Sequence, residues 1–384
     1  MDHNKKYSIA LVLYTRGIDY DDRVRKEVTS IQTLYPNVKF KIFAVEANNR
    51  EETGVTSYGV PYRIPFLKSR EKYPSGTHTL AKAWDFYKTI KKDLKPFDAV
   101  WCADPETFLF VLMIGGKPIL WDLHELPLAL MGNPVKKTLF HILEKKCRVM
   151  VHANKERLDY LHKIGFVKQM DKQFYLRNYP QFNEIDSEYD DTFHSFKEWK
   201  GDSKCVYLQG IADEKRADIE SIAAVLSFPE MKGVVVGRIL PERMDVFKQR
   251  FGEDILRNRL FFTGQIKQLK TPQYIKECFL SLVFYKNVNP NNWYCEPNRL
   301  FQSIINGIPV IVGNNPPMKD LVEIFQVGVC ADTDGTDQGI ITEAMKQAMQ
   351  RYDYLKDNLN KSGGDLLWDS QNEMIRRIVN GFLK

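Results

Sequence analysis

The sequence predicts an α/β protein built from two doubly wound parallel-sheet domains. Three observations carry that reading. Short apolar runs alternate with segments whose apolar residues recur every three or four positions, the pattern of a parallel sheet covered by helices. The alternation occurs twice along the 384 residues, and at roughly 100–200 residues per domain this length suits two domains. Between the two runs, residues 181–203 are polar, acidic and aperiodic.

Taken in order, Tyr7 to Tyr14 reads as a buried first strand. Val24, Val28 and Ile31 then form one stripe of a helix that Asp21 or Asp22 can cap. Lys39 to Val45 is the next strand, and residues 46–76 read as loop around a short strand, Tyr58 to Pro65. A basic amphipathic helix spans about 79–94, followed by strands at Asp98 to Ala103 and Pro118 to Leu123. A second basic helix covers 134–146. Strand Arg148 to His152, a helix to Lys163 and strand Gln173 to Arg177 close the first half.

The alternation restarts with Cys205 to Gln209 and a helical stripe of Ile219, Ile222, Ala223 and Leu226. Strands follow at Gly233 to Gly237, Arg259 to Thr263 and Leu280 to Tyr285, with a Thr271-Pro272 helix start between the last two. Pro297 opens a helix that stops at Gly307, and Pro309 to Val312 is the next strand. A helix from Gln371 to Leu383 ends the chain. The expected domains are 1–185 and 204–365 with 186–203 as linker, and the segment from about 366 to 384 packing back on the first domain.

Composition narrows the function classes. Apolar residues make up 43% and charged residues 27%, which excludes gross disorder. The longest apolar run, Phe108 to Ile114, has seven residues against the roughly twenty of a membrane span. The first residues lack the apolar stretch of a signal peptide, so a cytoplasmic protein is expected. None of the six cysteines forms a Cys-x-x-Cys pair, and the seven histidines show no zinc spacing. No Gly-x-Gly-x-x-Gly, Gly-x-Ser-x-Gly or phosphate-loop motif occurs. Residues 1–185 hold 30 Lys and Arg against 21 Asp and Glu, while the remainder holds 25 against 28. That asymmetry suits an anionic partner for the first half, and ordinary surface scatter equally.

Sheets of this kind bind ligands beyond the carboxyl ends of their strands, so a cleft between the two domains is expected. The sharpest local signal is Glu296-Pro297-Asn298-Arg299-Leu300-Phe301-Gln302 with Asn306-Gly307-Ile308-Pro309-Val310. A helix N-terminus there would stabilise a phosphate, Arg299 could add a bidentate contact, and Gln302 could bond hydroxyls. A plain capped helix with a solvated Arg fits the same residues. Asp19-Tyr20-Asp21 and Asp332-Thr333-Asp334 read as caps and loop residues rather than cation ligands.

This segment resembles the Pro-Asn-Lys-Leu-Phe-Glu-Tyr…Ala-Gly-x-Pro-Val signature of retaining glycosyltransferases of family 4 (glycosyl transferases group 1), which have the GT-B fold. The resemblance extends through Asp22-Arg23-Val24-Arg25-Lys26-Glu27, Cys102-Ala103-Asp104-Pro105-Glu106-Thr107 and Trp121-Asp122-Leu123-His124-Glu125-Leu126. It continues through Arg177-Asn178-Tyr179-Pro180 and Tyr207-Leu208-Gln209-Gly210 with Arg216.

The resemblance implies two Rossmann-like domains and a nucleotide-diphosphate sugar donor held by the second of them, without metal or other cofactor. Donor binding would fall to Gly210, Lys215, Arg216, Gly237, Asn298, Arg299, Leu300 and Gln302, with Arg216, Lys215 and Arg299 neutralising the leaving diphosphate. His124, Glu125 and Glu296 would be the catalytic group, His124 hydrogen-bonding the transferred sugar. Arg23, Asp104 and Glu106 would lie on the acceptor side. Gln302 stands where the family has a Glu for the ribose hydroxyls, and Tyr294 where the wider family has the first carboxylate of its Glu-x7-Glu pair. The acceptor would be a glycan or a lipid-linked glycan in bacterial capsule, lipopolysaccharide or exopolysaccharide assembly.

Lys82, Lys88, Lys91 and Lys92 flank Trp84, Phe86 and Tyr87. Lys136, Lys137, Lys145 and Lys146 flank Leu139, Phe140 and Leu143. Such helices suit an anionic membrane surface at the inner face of the plasma membrane, and they equally suit a core with solvated lysines. No recognition motif supports nucleic acid as a partner. The alternatives are a catalytically weak nucleotide-sugar-binding protein of the same fold and a nucleotide-sugar 2-epimerase.

Overall fold

The computed structural model describes residues 6–15, 17–46, 48–181, 191–210 and 212–383. Residues 1–5 and the 186–190 part of the expected linker lie outside them. The chain divides into two units, residues 1–177 with 371–384, and residues 178–370.

The first unit is built on eight strands: β1 (Tyr7–Tyr14), β2 (Val38–Val45), β3 (Glu52–Val55), β4 (Pro61–Ile64), β5 (Ala99–Ala103), β6 (Ile119–Leu123), β7 (Val149–His152) and β8 (Gln173–Tyr175). Their order is β3-β4-β2-β1-β5-β6-β7-β8. All neighbours are parallel except β3 and β4. Every residue of β5, β6 and β7 is buried, as expected of strands covered on both faces. The chain runs outward from β1 in both directions, so the carboxyl ends of β1 and β5 flank the point where strand order reverses. Asp104 follows β5 and His124 follows β6.

The helix Asp22–Leu34 starts where Asp21 accepts a bond from the Val24 N–H at 3.3 Å, and it buries Val24, Val28 and Ile31. The closing helix Asn372–Leu383 lies against it and against β7 and β8, burying Ile375, Ile378, Val379 and Phe382. Helices Thr79–Ile90, Phe108–Met113 and Pro134–Lys146 pack side by side.

The second unit has six parallel strands: β9 (Lys204–Gln209), β10 (Met231–Val236), β11 (Leu260–Gly264), β12 (Leu280–Val283), β13 (Val310–Val312) and β14 (Gly328–Cys330). Their order is β11-β10-β9-β12-β13-β14, so strand order reverses between β9 and β12. Helices Asp218–Leu226 and Gln338–Gln350 contribute Ile222, Val225, Ile341, Ala344 and Met345 to one core. Phe193, Phe196, Tyr207, Tyr274 and Ile275 belong to another. Gly328 is required by close packing, because a Cβ there would lie 2.0 Å from the Val310 carbonyl oxygen.

Two expectations change. Asp191–Lys200, within the expected linker, is a helix whose Phe193 and Phe196 are buried. The Phe193 ring meets Tyr274 at 5.2 Å and Phe196 meets Phe261 at 5.5 Å, so an aromatic stripe inside an acidic stretch supplies the driving force. The segment read as loop before Tyr58 holds β3, which extends the first sheet by an antiparallel pairing with β4.

Candidate functional site

In the first unit a charged cluster forms beneath the strand ends. His124 stands just past β6 with both ring nitrogens engaged: Nδ1 is 3.0 Å from Asp104 Oδ1 and Nε2 is 3.1 Å from Asp122 Oδ2. Asp122, fully buried within β6, also meets Arg23 at 3.3 Å. The Arg23 guanidinium donates to the Leu176 carbonyl at 2.9 Å and lies 3.1 Å from Glu27. Arg157 donates from Nη1 to the His124 carbonyl at 2.5 Å.

Burial alone would depress the His124 imidazole. The carboxylates of Asp104 and Asp122 overcome it and hold the ring well above the usual histidine range. Burial alone would raise Asp122, but His124 and Arg23 hold it well below the usual carboxylate range. Burial, then repulsion from Asp122, pushes Glu27 well above its ordinary value. A cavity of about 10 Å³ beside Glu27 is closed by Trp101, Leu120, Ile375 and Ile378 among others. Glu27, Asp122 and His124 bring ligand-type atoms within 4.8 Å of one another. Arg23 sits in the same cluster and supplies the positive charge a cation would bring.

Asp104 adopts φ 72° and ψ 152°, a conformation that is almost confined to glycine and costs other residues roughly 1–3 kcal/mol. Four bonds hold it there. Its N–H donates to the Asp122 carbonyl at 2.8 Å. Its carbonyl accepts from the Thr107 N–H at 3.2 Å, Thr107 Oγ1 at 2.7 Å and Trp121 Nε1 at 3.1 Å. Glu106 and Glu125 are exposed on the neighbouring turns.

In the second unit a pocket of about 300 Å³ opens at the carboxyl ends of β9, β10 and β11. Gln209, Gly210, Gly237, Thr271, Asn298 and Gln302 are among its lining residues. Gly210 and Gly237 have φ of +58° and +121°, so the chain turns away from the pocket without a side chain in the way. The side-chain oxygens of Gln209 and Gln302 are buried without a hydrogen-bond partner among the described residues. Asn298, the first residue of helix Asn298–Ile305, accepts at its side-chain oxygen from Asn178 Nδ2 at 2.7 Å. Arg216 donates to the Gly210 carbonyl at 2.6 Å and lies over the Tyr285 ring, while Lys215 is exposed beside it. Glu296 is half-buried in the turn before Pro297.

Four expected site residues are buried or engaged within the protein. Arg23 does not line an open surface, because it is buried with its guanidinium committed to Asp122, Glu27 and the Leu176 carbonyl. Arg299 is also buried, and its two Nη atoms donate to the carbonyls of Gln209 and Phe284. It ties the ends of β9 and β12 together rather than offering an open fork. Leu300 is fully buried in the core. Both ring nitrogens of His124 face carboxylates. Sequence reasoning passed over Asp122, Glu27 and Arg157 as site residues. The signals were present: Arg23 and Glu27 stand at i and i+4, and a lone Asp122 interrupts an apolar strand two residues before His124.

Solved glycosyltransferase structures share this fold along nearly the whole chain. Sucrose-phosphate synthase from Thermosynechococcus elongatus is 12% identical with a TM-score of 0.76, over 98% of each chain. HepE from Anabaena, solved in complex with UDP-glucose, is 12% identical with a TM-score of 0.68, over 97% of this chain and 99% of its own. WaaG, a glycosyltransferase involved in lipopolysaccharide biosynthesis, is 13% identical with a TM-score of 0.63, over 97% of this chain and 99% of its own. The likeness defines the fold as GT-B. No family model and no curated protein matches the sequence.

Proposed function

We propose that this chain is a metal-independent, retaining glycosyltransferase that takes a sugar from a nucleotide-diphosphate donor. The observation that carries the reading is the pocket at the β9–β11 strand ends, lined by positive-φ glycines and neutral amides with two buried, unpaired acceptor oxygens. Unpaired buried acceptors favour a ligand that brings donors, such as ribose hydroxyls or a base N–H. HepE, which shares the fold, was solved with UDP-glucose. Arg216 donates to the Gly210 carbonyl, and with its neighbour Lys215 it would neutralise a diphosphate in place of a metal. The test is incubation with UDP-, GDP-, ADP- and dTDP-sugars in EDTA, followed by proton NMR of the anomeric signal. Donor consumption with a retained anomeric configuration supports the proposal. Donor bound but never consumed supports a second reading, a nucleotide-sugar-binding protein with little catalysis, which Gln302 in place of a carboxylate favours.

The acceptor we propose is a glycan or lipid-linked glycan of a bacterial surface polysaccharide, met in the cytoplasm at the plasma membrane's inner face. No helix among the described residues is long and apolar enough to cross a membrane. The side-by-side helices Thr79–Ile90, Phe108–Met113 and Pro134–Lys146 expose Leu80, Trp84, Leu112, Val135 and Ile142 among Lys88, Lys91, Lys92, Lys136 and Lys145. Apolar side chains ringed by lysines suit an anionic bilayer surface. Sedimentation with phosphatidylglycerol vesicles at low salt, and its loss in K88E/K91E/K136E, tests this part. No sedimentation with those vesicles removes it.

A further inference from the structure

We propose that Tyr285, just beyond β12, is a positioning residue for the donor's diphosphate: its ring carries the Arg216 guanidinium and holds that cation ready for an anion. That the anion is a nucleotide's diphosphate rests on the function proposed above; the arrangement of cations around the ring does not.

Two guanidiniums lie over one ring. The Arg216 Cζ is 5.4 Å from the Tyr285 ring centroid and the Arg299 Cζ is 5.0 Å from it. Both distances fall within the roughly 6 Å of a cation–π contact. The two cations differ in what else they do. Arg299 is buried and commits both Nη atoms to carbonyls. Arg216 is half-buried and makes one hydrogen bond, from Nη1 to the Gly210 carbonyl at 2.6 Å. A guanidinium carries five N–H donors, so Arg216 keeps donors that have no partner among the described residues. Neither cation has a carboxylate partner among those residues. Like charges gathered without a counter-ion repel, and burial, with the Arg216 charge after it, lowers the Arg299 guanidinium from its ordinary value. The negative face of the ring offsets part of that repulsion, and a bound anion would offset more of it.

The backbone joins the ring to the turn that carries Arg216. The Tyr285 carbonyl accepts from Nδ2 of Asn315, a fully buried side chain just after β13, at 3.0 Å. The next residue, Lys286, donates its N–H to the Lys215 carbonyl at 2.8 Å, and its ammonium pairs with Glu220 at 2.7 Å. Ala217 follows Arg216 at φ 55°, packed so closely that a Cβ on Gly335 would lie 2.6 Å from its own. Arg216 then crosses Gly210, where a Cβ would lie 2.8 Å from its Nη1, and Gly210 lines the pocket. The backbone therefore brings Arg216 to the pocket wall, and the Tyr285 ring holds the side chain there. An arginine already held in one place gives up less freedom on meeting an anion than a solvated one does.

The experiment measures binding of UDP, uridine and inorganic pyrophosphate to the full chain by calorimetry, in wild type, Y285F, Y285L, R216A and R216A/Y285L. Y285F keeps the ring, and its UDP affinity is expected within about twofold of wild type. Y285L is expected to weaken UDP about fivefold while uridine, which has no phosphate, stays within about twofold. In the R216A background Y285L is expected to add less than about twofold, because the cation it positions is gone. An unchanged UDP affinity in Y285L, equal losses of UDP and uridine, or an undiminished loss in the R216A background overturns the proposal. A loss in Y285F as large as that in Y285L makes the hydroxyl a ligand contact and overturns the role of the ring. Arginine-labelled ¹⁵N NMR of the wild type needs no folded variant. The Arg216 Nε–H signal, assigned by its loss in R216A, is expected away from the solvated position before any ligand is added and to move again with pyrophosphate. A solvated-type signal overturns the proposal whatever Y285L does. If wild type binds pyrophosphate but no nucleotide, the donor reading falls and the pyrophosphate series decides Tyr285 alone; binding of neither overturns both.

Discussion

Arg299→Ala separates two meanings of a buried arginine. The guanidinium bonds the Gln209 carbonyl at the end of β9 and the Phe284 carbonyl just beyond β12, the second at 3.0 Å. These strands are neighbours where the strand order of the sheet reverses, beside the pocket. Removing the side chain leaves two buried carbonyls without donors, each costing about 1–3 kcal/mol, and a void where the side chain lay. Relief from burying a cation offsets part of this, so a net loss of about 3 kcal/mol is expected. R299K keeps the charge but not the fork and recovers about half of that loss. R216A is the contrast. Arg216 is half-buried and makes one bond to the Gly210 carbonyl, so its loss costs at most about 1 kcal/mol of stability. It is expected to weaken UDP binding about tenfold or more through the lost diphosphate contact. Urea unfolding and UDP calorimetry on the three variants provide the readouts. An R299A protein of wild-type stability with UDP affinity down more than tenfold would refute the reasoning, because Arg299 would then be a phosphate ligand and not a tie between strands.

Other outcomes follow from the same geometry. Gln302 presents a buried, unpaired acceptor oxygen to the pocket, so Q302L should weaken UDP binding about fivefold and Q302E should strengthen it by up to about tenfold, measured by calorimetry. His152 is buried against Gln173 Oε1 at 2.8 Å, and burial lowers its pKa from 6.5 to about 4. The unfolded chain therefore binds a proton there before the folded one does. Stability should fall as pH drops from about 6.5 to about 4, by about 3 kcal/mol for this group. Thermal unfolding of H152N should show a shallower acid-side slope, and an unchanged slope would remove the attribution. His124 and Glu27 act on the other side. Both hold protons in the folded state that the unfolded chain releases at lower pH, so their contribution is complete at low pH. The Glu27 part declines as pH rises above about 4.5 and the His124 part above about 6.5, each fading through its raised folded value. D122N, which removes the buried counter-charge of both Arg23 and His124, should destabilise by about 3–5 kcal/mol in the same assay.

The strands were legible because buried parallel strands are near-continuous apolar runs, and β1, β2, β5 and β6 read that way directly. The pair β3 and β4 was harder, since Glu52–Val55 is half exposed and carries no long apolar run. Helix Asp191–Lys200 hid because its Phe193 and Phe196 sit among charges. Placement of the site followed from topology. Asp104, His124, Gly210 and Gly237 each follow the carboxyl end of a strand, where such sheets bind ligands, and Asn298 and Gln302 line the same pocket as the two glycines. The direction of individual side chains was not legible. A sequence gives no sign that Arg23 and Arg299 turn inward to satisfy carbonyls and carboxylates, since arginine is rarely buried without partners that only the folded chain supplies. Leu300 joins Phe301 and Ile304 on the buried stripe of its helix, which the motif resemblance obscured. Asp122 looked like one polar residue in an apolar strand, and its importance appears only once Arg23 from another element reaches it.

The central claim is a metal-free nucleotide-diphosphate site in the second unit. A thermal-shift screen against UDP, GDP, ADP, CMP and dTDP, each with and without EDTA, tests it most directly. A ligand at about 100 times its Kd adds roughly 2.7 kcal/mol, enough for a clear rise in Tm. One diphosphate is expected to raise Tm by the same amount in both conditions, and Q302L to weaken the effect. A screen in which no diphosphate raises Tm, or in which EDTA abolishes the rise, would contradict it.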